Sequence, residues 1–274
     1  MRFNTLSDRM LYFRGLTDYK LMPKSYVIVF LDGRSFSHLV KNKFKKPFDD
    51  DFIRMMNETA KYLCENISGC KLAYVQSDEI SLVLTDFDDI NTESFFGFRL
   101  SKMLSIIASL ATAKFNQLMM DYQLSKVIGS SASAGDTVQM CRDTVNNGPL
   151  YQFDCKVWNV PRYEDVFAWF LYRQIDCVRN SKQQAAQTWL SHSQLKGLNT
   201  DEQVKRLKEA HNIDWEDFSD GKKYGRFVYK EEMIYLNQDG TTYTRNKWNV
   251  HYAFPLTGEG ARERFDTINA IPIQ

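Results

Sequence analysis

The chain has 274 residues, of which 43% are hydrophobic and 25% are charged. This composition is typical of a globular protein with a substantial apolar core, and the length suits one large domain or two small ones. The 35 basic and 34 acidic residues give a net charge of +1, which excludes a passive nucleic-acid coat with a general basic excess. An enzyme that holds RNA through a local basic patch stays compatible with this balance, because a phosphate responds to the local field.

The five cysteines are scattered and odd in number. They form no CxxC pair and no spacing with histidine that suits zinc, which predicts reduced thiols in an intracellular protein. The first ten residues lack the apolar segment of a signal peptide, and Asp8 and Asp18 dilute the nearby arginines. We therefore expect a cytoplasmic protein, with a mitochondrial location left open. No apolar run is long enough to predict a membrane span.

Four elements are predicted in the first third of the chain. Ser25–Leu31 is rich in β-branched and aromatic residues and predicts a buried strand that ends at Asp32. A helix is predicted to begin at Phe48, because the apolar residues that follow recur at three- and four-residue spacing. Two further strands are predicted at Lys71–Gln76 and Ile80–Leu84, and the short segment between them suits a hairpin.

A long helix is predicted over Glu93–Tyr122 and a strand within Leu150–Val160, before Pro161. The resulting order in residues 1–160 is typical of the ferredoxin-like split βαβ arrangement. We therefore expect an α+β fold whose antiparallel sheet carries helices on one face. Residues 161–274 are predicted to form a C-terminal helical region packed on this palm-like domain, or one compact domain with it. Its predicted helices and strands are Glu164–Asn180, Lys182–Ser193, Asp201–Ala210, Tyr229–Leu236 and Lys247–Phe254.

Three acidic residues follow predicted strands. Asp32 ends the first strand, and Asp78 and Glu79 lie at the hairpin tip. Because the first strand and this hairpin are neighbours in a split βαβ sheet, the carboxylates can converge, and they repel one another unless a cation neutralises them. Mg²⁺ prefers one or two carboxylates plus phosphate oxygens, and a pair of such ions supports phosphoryl transfer. The alternative is that these residues merely form turns, where Asp and Gly are common.

Two nearby segments suit phosphate binding. The backbone of Gly33–Phe36 directly after the first strand can form an anion-binding nest, and Gly33 lets the backbone approach a ligand closely. Lys41–Lys46 is a basic cluster that suits a phosphate or an RNA backbone, although such a cluster in a loop is often only solvated.

Six sequence blocks resemble, in order, the tRNA-histidine guanylyltransferase family of 3′-to-5′ polymerases. The resemblance spans Leu31 to Leu198, and the pairing of DGR-x-F with QSDE is its most specific part. The blocks are LDGRSF at Leu31–Phe36, FKKP at Phe44–Pro47, AYVQSDEISLVL at Ala73–Leu84, RLSK at Arg99–Lys102, QFDCK at Gln152–Lys156 and YRQIDCVRNS at Tyr172–Ser181.

The resemblance implies a polymerase-like palm that adds nucleotides to the 5′ end of tRNA. It implies that Asp32, Asp78 and Glu79 are catalytic, and that Asp32, the Gly33 carbonyl and Asp78 bind two Mg²⁺ ions. The nucleotide-binding residues that it implies are Gly33, Arg34, Ser35, Phe36, Lys46, Ser77 and Lys102. Four further residues are candidates for RNA contact: Arg99, Arg173, Arg179 and Asn180. A surface salt bridge is an equal alternative for Arg173.

By the same resemblance, ATP or GTP activates the tRNA 5′-monophosphate, and the 3′-hydroxyl of the incoming nucleotide then attacks the activated end. Enzymes dedicated to histidine tRNA carry His-Ile-Asn-Asn where this chain has Val178–Ser181. The pattern is closer to the guanylyltransferase-like branch, which repairs 5′-truncated tRNA by template-dependent addition. Phe30 stands where the family often has arginine, so one phosphate or RNA contact is expected to be missing or replaced.

Three alternatives remain open at the level of sequence. The first is dedicated addition of guanylate to histidine tRNA. The second is a nucleotide cyclase on the same palm, which is disfavoured because the hairpin lacks a Gly-Gly-Asp/Glu pattern. The third is a non-catalytic palm that only binds RNA. A homotetramer is expected from the family, and the tail from about Lys222 matches no pattern of known function.

Overall fold

The computed structural model describes residues 2–130, 134–237, 240–268 and 270–273. Its centre is a six-stranded sheet in the order β4-β1-β3-β2-β5-β6, and every neighbouring pair is antiparallel. The strands are β1 (Tyr26–Gly33), β2 (Cys70–Gln76), β3 (Glu79–Leu84), β4 (Phe153–Val160), β5 (Arg226–Leu236) and β6 (Thr242–Tyr252). The α+β class and the antiparallel sheet are confirmed, and β1 lies beside the β2–β3 hairpin as predicted.

Ten α-helices surround this sheet in the part of the chain that the structure describes. They are α1 (Leu6–Gly15), α2 (Phe36–Lys43), α3 (Asp50–Asn66), α4 (Leu100–Ser130), α5 (Ala134–Asn147), α6 (Tyr163–Trp189), α7 (His192–Leu195), α8 (Thr200–His211), α9 (Asp220–Lys223) and α10 (Ala261–Asp266).

Helices cover both faces of the sheet, so the prediction of helices on one face is wrong. Alternate residues of β1 enter different cores, because successive strand side chains point to opposite faces. Val29 packs in the core that contains Met55 of α3 and Met103 of α4. Ile28 packs in the core that contains Phe170 of α6 and Phe265 of α10.

The C-terminal region is not only helical, since β5 and β6 extend the palm sheet. β5 pairs with β2, placing Arg226 opposite Val75 and Tyr229 opposite Leu72. The segments before and after residue 160, the predicted domain boundary, therefore contribute strands to the same sheet. The two helices predicted on either side of Ser181 are one continuous helix, because Ser181 is buried and accepts a hydrogen bond from Trp215 Nε1 at 2.9 Å.

α4 begins later than predicted. Phe96, Gly97 and Phe98 all have positive φ values of 52–59°, a left-handed backbone that an α-helix does not contain. A short 3₁₀ turn at Phe95–Phe98 replaces the first part of the predicted helix. α4 then starts at Leu100 and runs back along the sheet toward the start of β4.

Within the described residues, no helix has both the length and the apolar character to cross a membrane. The five cysteines carry free thiols, in agreement with their predicted reduced state.

Candidate active site

The carboxylates predicted to converge lie at one end of the sheet. Asp32, near the end of β1, is opposite Glu79 on β3 and opposite Asp154 on β4. The next amide, that of Gly33, donates to the carbonyl of Asp78 at 3.2 Å. This backbone contact fixes the end of β1 against the hairpin tip and so brings Asp78 beside Asp32.

Burial and mutual repulsion make these carboxylates hard to ionise. Burial raises the pKa of Asp32, and the neighbouring Asp78 and Asp154 carboxylates raise it further. Burial also raises the pKa of Asp78, although a hydrogen bond from the Ser77 hydroxyl at 2.9 Å favours the charged form. Ser77 takes a positive φ of 44°, which lets its hydroxyl reach the next side chain at the tight tip.

These residues fit a magnesium site that the substrate completes. Among the described residues, no three Asp, Glu, His or Cys side chains converge closely enough to hold a metal by themselves. Asp32 and Asp78 supply hard oxygen ligands, and Mg²⁺ usually takes one or two carboxylates plus waters and substrate phosphates. A divalent cation between them would stabilise both charged forms. It would offset the burial that raises both pKa values and the repulsion from Asp78 and Asp154 that raises the pKa of Asp32.

Glu79 has its own cationic partner. Arg173 of α6 donates from Nε to Glu79 Oε2 at 3.0 Å and from Nη2 to Oε1 at 2.9 Å, and also reaches Asp176 at 2.8 Å. Arg173 is 8% exposed, so the salt bridge expected at the surface is present but buried, and the contact of Arg173 with RNA stays a prediction. The pair orients Glu79 beside Asp32, and Gln76 Nε2 donates to the same carboxylate at 2.7 Å.

The loop after β1 makes a tight turn into α2. A Cβ on Gly33 would lie 2.5 Å from the Phe36 ring, so no larger residue fits, and Ser35 has a left-handed φ of 60°. The amides of Gly33 and Arg34 donate to Asp78 and Gln152. Two amides of the predicted Gly33–Phe36 nest therefore already have partners. The amides of Ser35 and Phe36, at the start of α2, can donate to a phosphate.

A cavity of about 430 Å³ opens beside Asp78, between α2–α3 and α6. Five predicted residues line it: Phe36, Lys46, Ser77, Asp78 and Asn180. Apolar side chains of α2, α3 and the loop between them form one wall, and amides and hydroxyls of α6 form the other. This size and mixed lining suit a small ligand such as a nucleotide.

Lys102 and Arg99 lie away from this cavity. Thr112 of α4 accepts from the amide of Phe153, which pairs with Gly33 beside the site. Lys102 is ten residues earlier on the helix, roughly 15 Å farther along its axis at 1.5 Å per residue. The contact of Lys102 with the nucleotide therefore stays a prediction, and Lys102 is not among the residues that line the cavity beside Asp78.

The remaining RNA candidates have defined surroundings. Arg99 pairs with Asp18 at 3.0 Å on the surface. Arg179 is exposed and ion-paired with Asp176. Asn180 is the member of this group that reaches the cavity.

Sequence reasoning missed several residues at the site. Asp154 and Lys156 of β4 flank Asp32. Both belong to the QFDCK block, which resembles the family, but the sequence assigned neither residue a role. Lys156 Nζ lies 5.9 Å and Arg173 Cζ 5.5 Å from the centre of the Phe30 ring. Two cations thus surround the position at which the family often has arginine. Arg226, from the unmatched tail, also lines the cavity, and nothing in the local sequence marks it.

A family model described as tRNAHis guanylyltransferase matches residues 8–161, more than half of the chain. The chain belongs to this family. The tRNAHis guanylyltransferase family consists of nucleotidyltransferases, so the chain is a nucleotidyltransferase by membership.

Two solved structures and one curated protein are among the most similar to this family member. A bacterial tRNA(His) guanylyltransferase (Thg1)-like protein in complex with ATP is 31% identical, with a TM-score of 0.76 over 98% of this chain and 100% of that one. A bacterial Thg1-like protein in complex with GTP is also 31% identical, with a TM-score of 0.73 over 97% and 99%. An uncharacterized protein of Acanthamoeba polyphaga mimivirus is 29% identical over 82% of this chain and 77% of its own length. The solved structures favour the guanylyltransferase-like branch of the family.

Proposed function

We propose that this protein adds nucleotides in the 3′-to-5′ direction to the 5′ end of tRNA and repairs 5′-truncated tRNA by template-dependent addition. ATP or GTP activates the tRNA 5′-monophosphate with release of pyrophosphate. The 3′-hydroxyl of the incoming nucleotide then attacks the activated end. The observation that supports this most directly is that Asp78, which lies close to Asp32, lines a nucleotide-sized cavity.

Asp32, Asp78 and the Gly33 carbonyl would hold two Mg²⁺ ions, which supply charge neutralisation at the phosphates undergoing transfer. Phosphoryl transfer depends mainly on positioning and electrostatic stabilisation. In this chain, Lys46 and the amides of Ser35 and Phe36 would hold the triphosphate. ATP and GTP are bound by the bacterial Thg1-like proteins of the same fold, which supports both as substrates here.

The surroundings of Glu79 favour a positioning role. Burial raises the pKa of Glu79, and the Arg173 guanidinium favours its charged form. Because Nε and Nη2 of Arg173 both donate to Glu79, this carboxylate is held in a fixed orientation behind the Asp32–Asp78 pair. It can orient the groups around the Asp32–Asp78 pair without itself holding a metal ion.

The repair reaction is favoured over dedicated guanylate addition by the segment at Val178–Ser181, which lacks the histidine of the dedicated enzymes. Asn180 of this segment lines the cavity, so the substitution falls at the site itself. A palm that only binds RNA is disfavoured, because an RNA surface has no need of two desolvated carboxylates at one end of the sheet.

The proposed location is cytoplasmic, and the proposed assembly is a homotetramer. Exposed apolar side chains on α1 and on the α4–α5 hairpin support an assembly, since contiguous exposed apolar surface usually marks an interface. Those of α1 include Leu6, Met10, Leu11 and Phe13, and those of the hairpin include Ile128, Val138 and Val145.

The decisive experiment incubates the protein with Mg²⁺, labelled nucleotides and a tRNA that lacks its first nucleotide. We expect a product extended until the acceptor stem is fully paired. A single guanylate on histidine tRNA only would indicate the dedicated activity, and a cyclic product from nucleotide alone would indicate a cyclase. RNA retention without extension would indicate a binding protein.

The variants Asp32→Asn and Asp78→Asn should each lower the rate of extension by at least about a thousandfold, as expected for lost electrostatic stabilisation. Asp88→Asn is the matched control, because Asp88 accepts from Thr85 near the far end of β3 and pairs with Lys71 there. Near-normal extension by either site variant would show that the metal assignment is incorrect.

A further inference from the structure

Arg226 is a buried cation at the wall of the cavity. It is the first residue of β5 and lies opposite Val75, one residue before Gln76 and three before Asp78. Arg226 is 4% exposed, and it lines the same cavity as Gln76 and Asp78.

The guanidinium of Arg226 is only partly satisfied. Nε donates to Asn57 Oδ1 at 3.0 Å, and Nη1 donates to the carbonyl of Gly221 at 3.0 Å. Nη2 is buried and has no hydrogen-bond partner among the described residues. The groups that act on its charge are Cys177, Tyr74 and Tyr252, none of which is a carboxylate.

A buried arginine with an unmet donor and no carboxylate partner reduces the stability of the fold. Burial lowers the pKa of Arg226, but a guanidinium stays protonated in proteins. A buried charge without a counter-charge is costly, and an unmet donor adds to that cost. Asn57 and Gly221 hold two of the guanidinium nitrogens in place, and the residue that carries the unpaired Nη2 lines the cavity.

We propose that Arg226 is a phosphate-binding residue whose guanidinium donates to a phosphate oxygen of the ligand in this cavity. The phosphate belongs either to the nucleotide or to the 5′ end of the tRNA, two sources that rest on the proposed function. A neutral base carbonyl would satisfy the donor but leave the charge uncompensated, whereas a phosphate does both. The cavity admits a nucleotide or a strand end, and its 430 Å³ excludes a duplex.

The test measures binding in EDTA, so that the metal site does not contribute. The probes are inorganic tripolyphosphate, GTP, guanosine, and a 5′-phosphorylated tRNA lacking its first nucleotide. Arg226→Gln should raise the Kd for a phosphate-bearing probe by about tenfold to a hundredfold, the loss expected for one hydrogen bond to a charged group. Asn57→Ala is the matched control, because it removes the Nε contact and keeps the charge.

Each outcome decides the matter. Weaker binding of tripolyphosphate and GTP, with guanosine unchanged, assigns Arg226 to the nucleotide, and weaker binding of the tRNA alone assigns it to the RNA 5′ end. Equal weakening of guanosine and GTP would show base recognition and overturn the inference, as would unchanged Kd values for all four probes. Should Arg226→Gln not fold, wild-type crystals soaked in tungstate must show the anion at hydrogen-bond distance from the Arg226 guanidinium, and its absence there overturns the inference. A protein that binds phosphate through Arg226 but extends no tRNA would contradict the proposed function alone.

Discussion

Arg173 of α6 holds Glu79 of β3 in a two-point ion pair, with Nε and Nη2 at 3.0 and 2.9 Å from the two carboxylate oxygens. The pair connects α6 to β3, the strand that follows the hairpin tip. It thereby links the position of α6, which forms one wall of the cavity, to the position of Asp78.

Arg173→Met should destabilise the protein by about 3 kcal/mol, because it leaves Glu79 as a partly buried charge without its partner. Urea unfolding measures this change. Arg179→Met is the control, since its exposed pair with Asp176 should contribute at most about 1 kcal/mol. Equal losses in the two variants would contradict a special role for the Glu79 pair.

Phe30→Arg should lower the stability of the folded protein, although the family often has arginine at this position. The new cation would lie between Arg173 and Lys156, which already approach the Phe30 ring within 6 Å at 5.5 and 5.9 Å. Repulsion and the lost cation–π contacts should cost about 1–2 kcal/mol. Thermal unfolding at low and high salt measures this, because salt should reduce the repulsive part. Phe30→Tyr keeps the ring and should melt as the wild type does, and a gain in melting temperature for Phe30→Arg would refute the argument.

Asp49→Ala should weaken both the fold and nucleotide binding. Asp49 is the N-cap of α3 and accepts from the amides of Asp51 and Phe52, and its other oxygen accepts from the amide of Lys45. Losing the cap should cost about 1 kcal/mol, and losing the Lys45 bond should loosen the loop that carries Lys46. Denaturant unfolding and KM for GTP are the measurements. Asp49→Asn retains the capping oxygen and should be milder in both, and an unchanged KM in Asp49→Ala would separate the cap from the cavity.

Cys177 should react slowly with iodoacetamide at pH 8, since burial raises the pKa of its thiol to about 11 and the thiolate is the reactive form. The unfolded thiol ionises near 9.0. Between that value and 11 the unfolded state loses its proton first, so this thiol lowers folding stability as pH rises through the interval. Pulsed alkylation with peptide mass analysis measures the rate, and Cys177→Ala should show less loss of stability over the same interval. Labelling at the rate of the denatured chain would contradict this prediction.

The sequence was sufficient where the signal is local. The apolar run before Asp32, the short Ser77–Glu79 connection and the helical spacing after Phe48 depend on neighbouring residues, and the structure has these elements where they were predicted. Because strand order follows from the split βαβ pattern, the meeting of Asp32 with the hairpin tip could also be predicted.

Long-range contacts could not be predicted. Arg173 meets Glu79 from 94 residues away, and both sequence interpretations of Arg173 placed it at the surface. Arg226 reaches the cavity only because β5 pairs with β2, a pairing between segments that carry no shared sequence signal. The positive φ values near Phe96, which shift the start of α4, come from the packing around it instead of from helix propensity.

The pairing of β5 with β2 also determines what a shortened chain could do. A protein that ended before Arg226 would leave the edge of Leu72–Val75 that faces β5 unpaired, while the other edge stays paired with β3. Such a bare margin recruits strands from other molecules. We therefore expect that a truncated protein which retains Asp32 and Asp78 but lacks β5 would aggregate. The tail that contains β5, although it carries no recognised motif, is then required to keep the rest of the protein soluble.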